Sequence, residues 1–316
     1  MMHDLALLCC AAEAALVVGL VAAAAVLRLR RGRRAQRDAA LGRLYLRIVM
    51  HGLLTGMRRA PAFPRIGRTG ARGVLAQVLA RLASAAYGLD AGLLRRIVRT
   101  AELEPYLLRR IRRSGGVRRA RYLSLLARLA PDAAVGAAVA RYASDRSRSV
   151  RFAACLVQLA ADPSQALRLL ACWPEPLTAY ELAAVASMLR RGMLPVAYEP
   201  LLASPHRNLR SLGLCIVRQF GIEEAEEALL RIAASDAVPE IGCEAVRTLC
   251  ALQRPLRRSG VLRRLRSMGR AERRALLRCM AAEGYASDAL PELFDRDERL
   301  CYESLVGSYK CELVCP

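Results

Sequence analysis

Aromatic and β-branched side chains are scarce in this sequence. Phe, Trp and Tyr make up 5% of its 316 residues, whereas Ala and Leu are abundant. Ala and Leu favour helices, while strands favour β-branched and aromatic residues. The composition therefore predicts an all-α protein.

Lysine is also nearly missing, so arginine carries almost all of the positive charge. Lys310 is the single lysine beside 49 arginines, and the net charge is +22. A GC-rich coding bias raises Arg and Ala together, so the position of the arginines is more informative than their number. Residues 28–121 hold 24 arginines and four acidic residues, which places the excess directly after an apolar N-terminal run.

Motifs for catalysis and cofactor binding are missing from the sequence as well. It contains no triad, paired-carboxylate motif or metal-binding box. His3, His51 and His206 are its histidines, and none has an obvious nucleophile or carboxylate partner. We therefore expect a binding protein rather than an enzyme, with no cofactor, although a dispersed catalytic site stays open as a less favoured alternative.

The eleven cysteines do not form a disulfide or zinc pattern. Most lie among Ala, Leu and Val, as in AACLVQLA and LGLCIVRQF, which is typical of buried, reduced thiols. Near the C-terminus, Cys301, Cys311 and Cys315 are spaced C-x9-C-x3-C. Structural zinc needs four ligands in close pairs, so a metal there is the weaker alternative to incidental thiols.

An apolar run near the N-terminus has the length of a membrane span. Residues 5–27 contain one charge, Glu13, and as a helix they would reach about 35 Å, against a hydrocarbon core of about 30 Å. Arginines follow this run instead of preceding it, which differs from a signal peptide and favours a cytoplasmic C-terminal side. We predict a single transmembrane anchor within residues 1–27, in the inner membrane with the N-terminus outside. A core helix at an oligomer interface is the alternative.

Residues 28–113 are predicted to form a basic, membrane-proximal helical region. A helix over residues 36–58 would carry an apolar stripe, a loop would cover residues 60–73, and two further helices would be separated near Gly88. The predicted stripe consists of Leu41, Leu44, Ile48 and either Leu53 or Leu54.

The position of this region beside an anionic leaflet predicts contact with the membrane surface. Each basic residue near such a surface contributes about 1 kcal/mol of attraction. The expected membrane-proximal residues are Arg28, Arg30, Arg31, Arg33, Arg34, Arg43, Arg47, Arg58 and Arg59.

From about residue 114 the sequence becomes periodic. YASDRSRSVRFAA, LLASPHRNLRSLGL and IAASDAVPEIGCEAV share a small residue, Ser and then Asp or Pro ahead of a helix, at spacings of 60 and 31 residues. A further break, CWPEPLTAYELAAV, lies halfway along the longer spacing. Six units of about 31 residues fit residues 114–299. Each unit would be a pair of helices that buries its apolar stripes by stacking on the next pair. This pattern predicts an α-solenoid over residues 114–299, followed by a tail over 300–316.

The turn in ASDRSRSVRFAA resembles the HEAT repeat, in which an Asp-containing turn precedes a Val-Arg pair. Asp145, Val150 and Arg151 match best, while Leu209 and Arg210 keep the pair without the Asp. The resemblance implies HEAT-like helix pairs and contacts of these arginines between repeats. It leaves the function open, because HEAT solenoids serve as scaffolds, adaptors and nucleic-acid platforms.

Two binding functions follow from these patterns. The first is a membrane-anchored adaptor or scaffold that binds a protein partner at the repeat turns and early helices. The alternative is a nucleic-acid-binding basic solenoid, because arginine clusters bind phosphates, although few aromatics are available for base stacking. The candidate partner-binding residues are Arg151, His206, Arg210, Arg263 and Arg264.

Overall fold

A computed structural model describes most of the chain, and all of its regular secondary structure is helical. The described residues are 2–56, 61–67, 69–85, 91–162, 166–191, 197–235, 237–256, 259–285 and 294–314. No strand occurs among them, so the prediction of an all-α protein is confirmed for this part.

The chain divides into two compact units, residues 1–161 and 162–316. The division lies inside the region 114–299 that the sequence assigned to one solenoid. The helices of the first predicted repeat and the first helix of the second therefore belong to the same unit as the basic region, whereas Ala166–Ala171, the other helix of the second repeat, belongs to the second unit.

The first unit contains seven α-helices in its described part. Its core includes Leu75, Leu107 and Leu123, and α5 packs against both α4 and α7. A 3₁₀ turn, Ala140–Tyr142, follows the sixth helix. The helices are α1 (Met2–Leu54), α2 (Thr69–Ala85), α3 (Ala91–Thr100), α4 (Leu103–Arg113), α5 (Gly116–Ala127), α6 (Ala133–Val139) and α7 (Arg148–Ala161).

The buried face of α1 differs from the predicted stripe. Tyr45 and Val49 are buried against the unit, whereas Leu44 and Leu54 are 43% and 81% exposed. Tyr45 is held on this face because its hydroxyl donates to the Pro64 carbonyl at 2.7 Å. The predicted stripe is therefore wrong at Leu44, and of the two alternatives Leu53 and Leu54 it is Leu53 that is half-buried.

The predicted loop over residues 60–73 is too long. α2 begins at Thr69, inside that segment, while the preceding loop is fixed by the Tyr45 hydroxyl, which donates to the carbonyl of Pro64 at 2.7 Å. The glycines at the start of α2 were the reason for predicting a loop. Gly73 instead packs closely, because a Cβ there would lie 3.0 Å from the hydroxyl oxygen of Tyr106.

No helix within the described part of the chain is both long enough and apolar enough to cross a membrane. The predicted anchor, residues 1–27, forms the start of α1 from Met2 onward. The side chains of residues 1–20, including Glu13, lie outside the described part.

The second unit is built from nine α-helices in its described part, with a 3₁₀ turn at Glu223–Ala225. Its core includes Leu214, Leu229, Val246, Leu265 and Leu277. The helices are α8 (Ala166–Ala171), α9 (Ala179–Arg191), α10 (Tyr198–Leu202), α11 (Arg207–Phe220), α12 (Glu226–Ser235), α13 (Pro239–Ala251), α14 (Ser259–Ser267), α15 (Arg270–Ala282) and α16 (Arg296–Val314).

These helices pack in two layers. In one layer α9, α11, α13 and α15 pack in succession, each against the next, while α12 and α14 pack side by side behind α13. α16 packs on α15 and buries Tyr302. The predicted boundary between residues 299 and 300 therefore falls inside a helix.

Hydrogen bonds connect residues 31 positions apart in the second unit. The Leu177 N–H donates to Asn208, Arg264 Nε donates to the Ala233 carbonyl, and the Tyr285 hydroxyl donates to the Arg254 carbonyl. Successive helix pairs are thus held together by contacts at a constant sequence separation, which is the behaviour of a helical repeat.

Candidate functional site

The two units differ sharply in charge. Residues 1–161 contain 29 arginines and eight acidic residues, a net charge of +21, whereas residues 162–316 contain 21 basic and 20 acidic residues, a net charge of +1. A net charge of this size on one unit attracts polyanions and repels cations. The positive charge of the chain is therefore a property of the first unit.

Sixteen exposed arginines of the first unit lie on four of its helices, and Arg81 is exposed on α2. We call the sixteen the exposed arginine set, and they are found where α1, α3, α4 and α5 face solvent within this unit. Its members are Arg28, Arg30, Arg33, Arg34, Arg37, Arg43, Arg47, Arg95, Arg96, Arg99, Arg109, Arg110, Arg112, Arg113, Arg118 and Arg121.

Six of the predicted membrane-proximal arginines belong to this set. Arg28, Arg30, Arg33 and Arg34 are exposed on α1, as are Arg43 and Arg47 further along the same helix. The side chain of Arg31 and the residues Arg58 and Arg59 lie outside the described part.

Apolar side chains accompany the arginines of α1. Leu44, Leu46, Met50 and Leu54 are 39–81% exposed within the described structure. Together with Arg43 and Arg47 they give α1 a solvent-facing surface that is both apolar and basic. Helices of that composition suit the boundary between lipid headgroups and acyl chains.

Five arginines of the second unit form ion pairs with acids of the same unit among the described residues. Arg218 and Arg247 bind Glu244 at 3.2 and 3.1 Å, and Arg254 pairs with Glu223. These contacts neutralise the positive charge locally. The pair of Arg218 with Glu244 links α11 to α13, whereas Arg247 and Glu244 lie on the same helix. Other arginines of this unit, such as Arg263, are exposed.

Two arginines, each the fourth residue of its helix, bind both a backbone carbonyl and a carboxylate. We call this pair of contacts the arginine clasp. Arg119 on α5 donates to the Ile111 carbonyl at 3.4 Å and to Asp145 at 2.7 Å. Arg273 on α15 donates to the Leu265 carbonyl at 3.1 Å and pairs with Glu298. Each guanidinium thus joins the helix before its own to an acid that follows it.

Asp145 has more than one partner in this clasp. Its Oδ1 accepts the Ser147 N–H at 2.9 Å, while Oδ2 accepts Arg119. These hydrogen bonds, first from Ser147 and then from Arg119, lower the pKa of the Asp145 carboxyl. The sequence singled out Asp145 but missed Arg119, whose only signal was an arginine early in a helix.

The five candidate partner-binding residues are divided between the two units. Arg151 belongs to the first unit and donates to the Asp145 and Arg146 carbonyls at 3.1 and 3.3 Å, over the turn before its own helix. The remaining four lie in the second unit, where His206 and Arg263 are exposed and Arg210 and Arg264 are half-buried. His206 and Arg263 are thus the candidates that a partner could reach most easily.

A groove opens between α1, α2, α4 and α5 in the first unit. Its volume is about 860 Å³, which is within the range of small-molecule sites. Small and apolar residues form most of its lining, with Asp38, Arg43, Gln77, Arg81, Tyr106 and Tyr122 as polar members. The sequence did not predict this groove, because four separate helices must meet to form it.

The thiols vary in burial more than the sequence predicted. Cys155, Cys243 and Cys250 are buried as expected, but Cys172 and Cys301 are exposed. Among the described residues no group of His, Cys, Asp or Glu could hold a metal ion. The side chain of Cys311 and all of Cys315 lie outside that part, so the structure does not describe how the three tail cysteines are arranged.

No protein family, curated protein or solved structure matches this chain. The HEAT resemblance therefore stays a prediction. A function has to be argued from the charges and contacts of the chain itself.

Proposed function

We propose that the first unit docks on an anionic membrane surface and that the second unit is a HEAT-like scaffold for a protein partner. A membrane anchor within residues 1–27 would hold the chain in place. The carrying observation is the segregation of charge, +21 in the first unit and +1 in the second.

Membrane docking is supported by the exposed arginine set. Each basic side chain close to an anionic leaflet contributes about 1 kcal/mol, and the effect fades over a Debye length of about 8 Å. Several arginines of α1 acting together therefore suffice for attachment. The exposed Leu46 and Met50 add apolar surface that would be buried at the boundary between headgroups and acyl chains.

Partner binding by the second unit is supported by its layered helices and its contacts at 31-residue separation. Helical repeats offer extended surfaces that bind proteins. The acidic and basic residues of this unit nearly balance, with a net charge of +1, and some form internal pairs, such as Arg218 with Glu244. Its free surface is therefore close to neutral, which suits a protein better than a polyanion.

Arginine footprinting tests the membrane assignment directly. The full chain is placed in nanodiscs of phosphatidylcholine, with or without phosphatidylglycerol, and treated with phenylglyoxal before mass spectrometry. We expect Arg37 and Arg47 to be protected in the anionic discs and exposed again at high salt, while Arg263 serves as the unprotected control. Equal labelling of Arg37 in both kinds of disc would contradict the proposal.

The same footprint separates lipid from nucleic acid. Duplex DNA added to the neutral discs competes for the same guanidinium groups, and its binding weakens steeply with salt. Stronger protection of Arg37 and Arg47 by DNA than by anionic lipid at about 0.15 M salt would favour the nucleic-acid alternative.

Affinity capture tests the scaffold assignment. The full chain is crosslinked in membranes and its bound proteins are compared between the natural sequence and the variants His206→Ala and Arg263→Glu. The buried residues of the second unit stay unchanged in both variants, so folding is preserved. A reproducible partner that is lost with either variant supports the proposal, whereas recovery of nucleic acid alone contradicts it.

A further inference from the structure

We propose that the groove between α1, α2, α4 and α5 binds an anionic amphiphile, a single acyl chain that ends in a carboxylate or a phosphate. This proposal extends the membrane role of the first unit to a specific site. Its test uses free amphiphile in solution, so that its failure and the failure of membrane docking can be told apart.

The walls of the groove suit an alkyl chain. Leu46, Val74, Val78, Leu82 and Leu125 supply apolar surface. The α2 part of the lining extends from Gly70 to Ala85, about 22 Å at 1.5 Å per residue. One leaflet of a bilayer core is about 15 Å thick, so an acyl chain that fills a leaflet fits along this length.

Two cations of the lining are available to a negative head group. Arg43 on α1 and Arg81 on α2 are exposed, and neither side chain makes a hydrogen bond or ion pair in the described structure. Asp38 is the acidic member of the described lining, which leaves an excess of positive charge. Guanidinium groups bind carboxylates and phosphates with charge-assisted hydrogen bonds, so an anionic head is the complement of this lining.

The groove is continuous with the surface assigned to the membrane. Leu46 lines it and is also 40% exposed, and Met50 follows one helical turn later on α1. An amphiphile leaving the leaflet would thus pass from the exposed apolar residues of α1 into the groove.

Binding of a dansyl-labelled fatty acid to the full chain in nonionic detergent tests the site. Ala39 lines the groove, whereas its neighbour Ala40 is exposed outside it, so Ala39→Phe and Ala40→Phe form a matched pair. We expect saturable binding that Ala39→Phe weakens at least tenfold and Ala40→Phe leaves unchanged. No saturable binding, or equal binding by the two variants, would overturn the proposal.

The head group is tested with a second matched set. Arg43→Gln and Arg81→Gln should each weaken binding several-fold, while Arg47→Gln, one turn from Arg43 and outside the lining, should not. Displacement by oleate or by lysophosphatidylglycerol identifies a carboxylate or a phosphate head, and oleyl alcohol should displace the probe poorly. Equal displacement by oleyl alcohol would refute the anionic part of the proposal.

A protein occupant gives a different result. If Ala39→Phe abolishes binding of an acidic amphipathic peptide but leaves the dansyl fatty acid bound, the groove receives a protein helix and the proposal is wrong.

Discussion

The guanidinium of Arg264 on α14 occupies the space that a side chain at Gly242 on α13 would need. A Cβ built on Gly242 would lie 2.8 Å from Arg264 Nε and 2.9 Å from Cζ. The same Nε donates to the Ala233 carbonyl at 3.1 Å. Gly242 is the fourth residue of its helix, the position at which α5 and α15 carry Arg119 and Arg273, so an arginine from a neighbouring helix fills the place of a missing one.

This contact predicts that the effect of Gly242→Ala on stability depends on whether Arg264 is present, which a double-mutant cycle measures. Gly242→Ala alone should be neutral or destabilising, because the new methyl group displaces Arg264 from its carbonyl, at a cost of about 1–2 kcal/mol. With Arg264→Ala already present, the same change should stabilise the second unit by about 1 kcal/mol through helix propensity. Urea unfolding followed by the fluorescence of Trp173, the single tryptophan, measures all four proteins. Additive effects would contradict the contact.

Asn208 is predicted to be a critical polar residue of the second unit. It is buried, accepts the Leu177 N–H at 3.0 Å and donates to the carbonyls of Trp173 and Glu175 at 3.2 and 3.0 Å. Asn208→Ala leaves these groups unpaired and should lower the free energy of unfolding by about 2–4 kcal/mol.

Trp173 fluorescence also follows the unfolding of the Asn208 variant. Arg207→Ala is the control, because its ion pair with Glu240 is long, 3.9 Å, and largely exposed, so its loss should cost less than about 0.5 kcal/mol. If Asn208→Ala lowers the free energy of unfolding no more than Arg207→Ala does, the buried hydrogen bonds of Asn208 do not stabilise the unit as predicted.

Asp145 should make the first unit less stable in acid. Its pKa is lowered by the Ser147 N–H and by Arg119, so the charged carboxylate is favoured in the fold. The stabilisation is complete above the ordinary carboxyl pKa of about 4 and is lost as the pH falls through the lowered value.

Asp145→Asn tests this dependence, because the amide oxygen can still accept the Ser147 N–H while the charge is removed. We expect a cost of about 1 kcal/mol at pH 7 that disappears in strong acid, measured by hydrogen exchange of α7. Glu102→Gln is the control. The Glu102 side chain, which binds Arg72, is 61% exposed, so this change should cost less than about 0.5 kcal/mol. A cost for Asp145→Asn that does not change with pH would contradict the charged contact.

Thiol reactivity should follow burial. Burial raises the pKa of the Cys155 thiol to about 12 and also raises that of Cys250. Because the thiolate is the nucleophile, both should react with iodoacetamide at pH 8 at least a hundredfold more slowly than the exposed Cys172 and Cys301. Timed alkylation with mass spectrometry measures the rates, and denaturant should equalise them. Rapid labelling of native Cys155 would mean that α7 opens easily.

Helix starts were predictable where a local signal marks them. Pro239 occupies the first position of α13, where its missing N–H is not needed, and Glu272 accepts the Gly269 N–H at the start of α15. Such signals act within a few residues, so the sequence alone carries them. The start of α2 was missed because its glycines indicated a loop, whereas α2 begins at Thr69 and Gly73 packs against Tyr106.

The candidate sites were less predictable than the helices. Arg151 and Arg264 looked like surface residues available to a partner, yet both donate to backbone carbonyls. A sequence cannot distinguish an arginine that binds a carbonyl from one that faces solvent, because both are compatible with the same helix position. The same limitation applies to Arg119, which the pattern did not single out.

The sequence by itself determined the helical class and the uneven distribution of charge, because composition and local helix signals act without long-range contacts. Only the tertiary structure decided which face of α1 is buried, which arginines bind carbonyls or carboxylates, and where a groove opens. These outcomes depend on side chains that meet from distant positions, as Arg264 meets Ala233 and Asn208 meets Trp173, and packing among such residues is not encoded in any single segment.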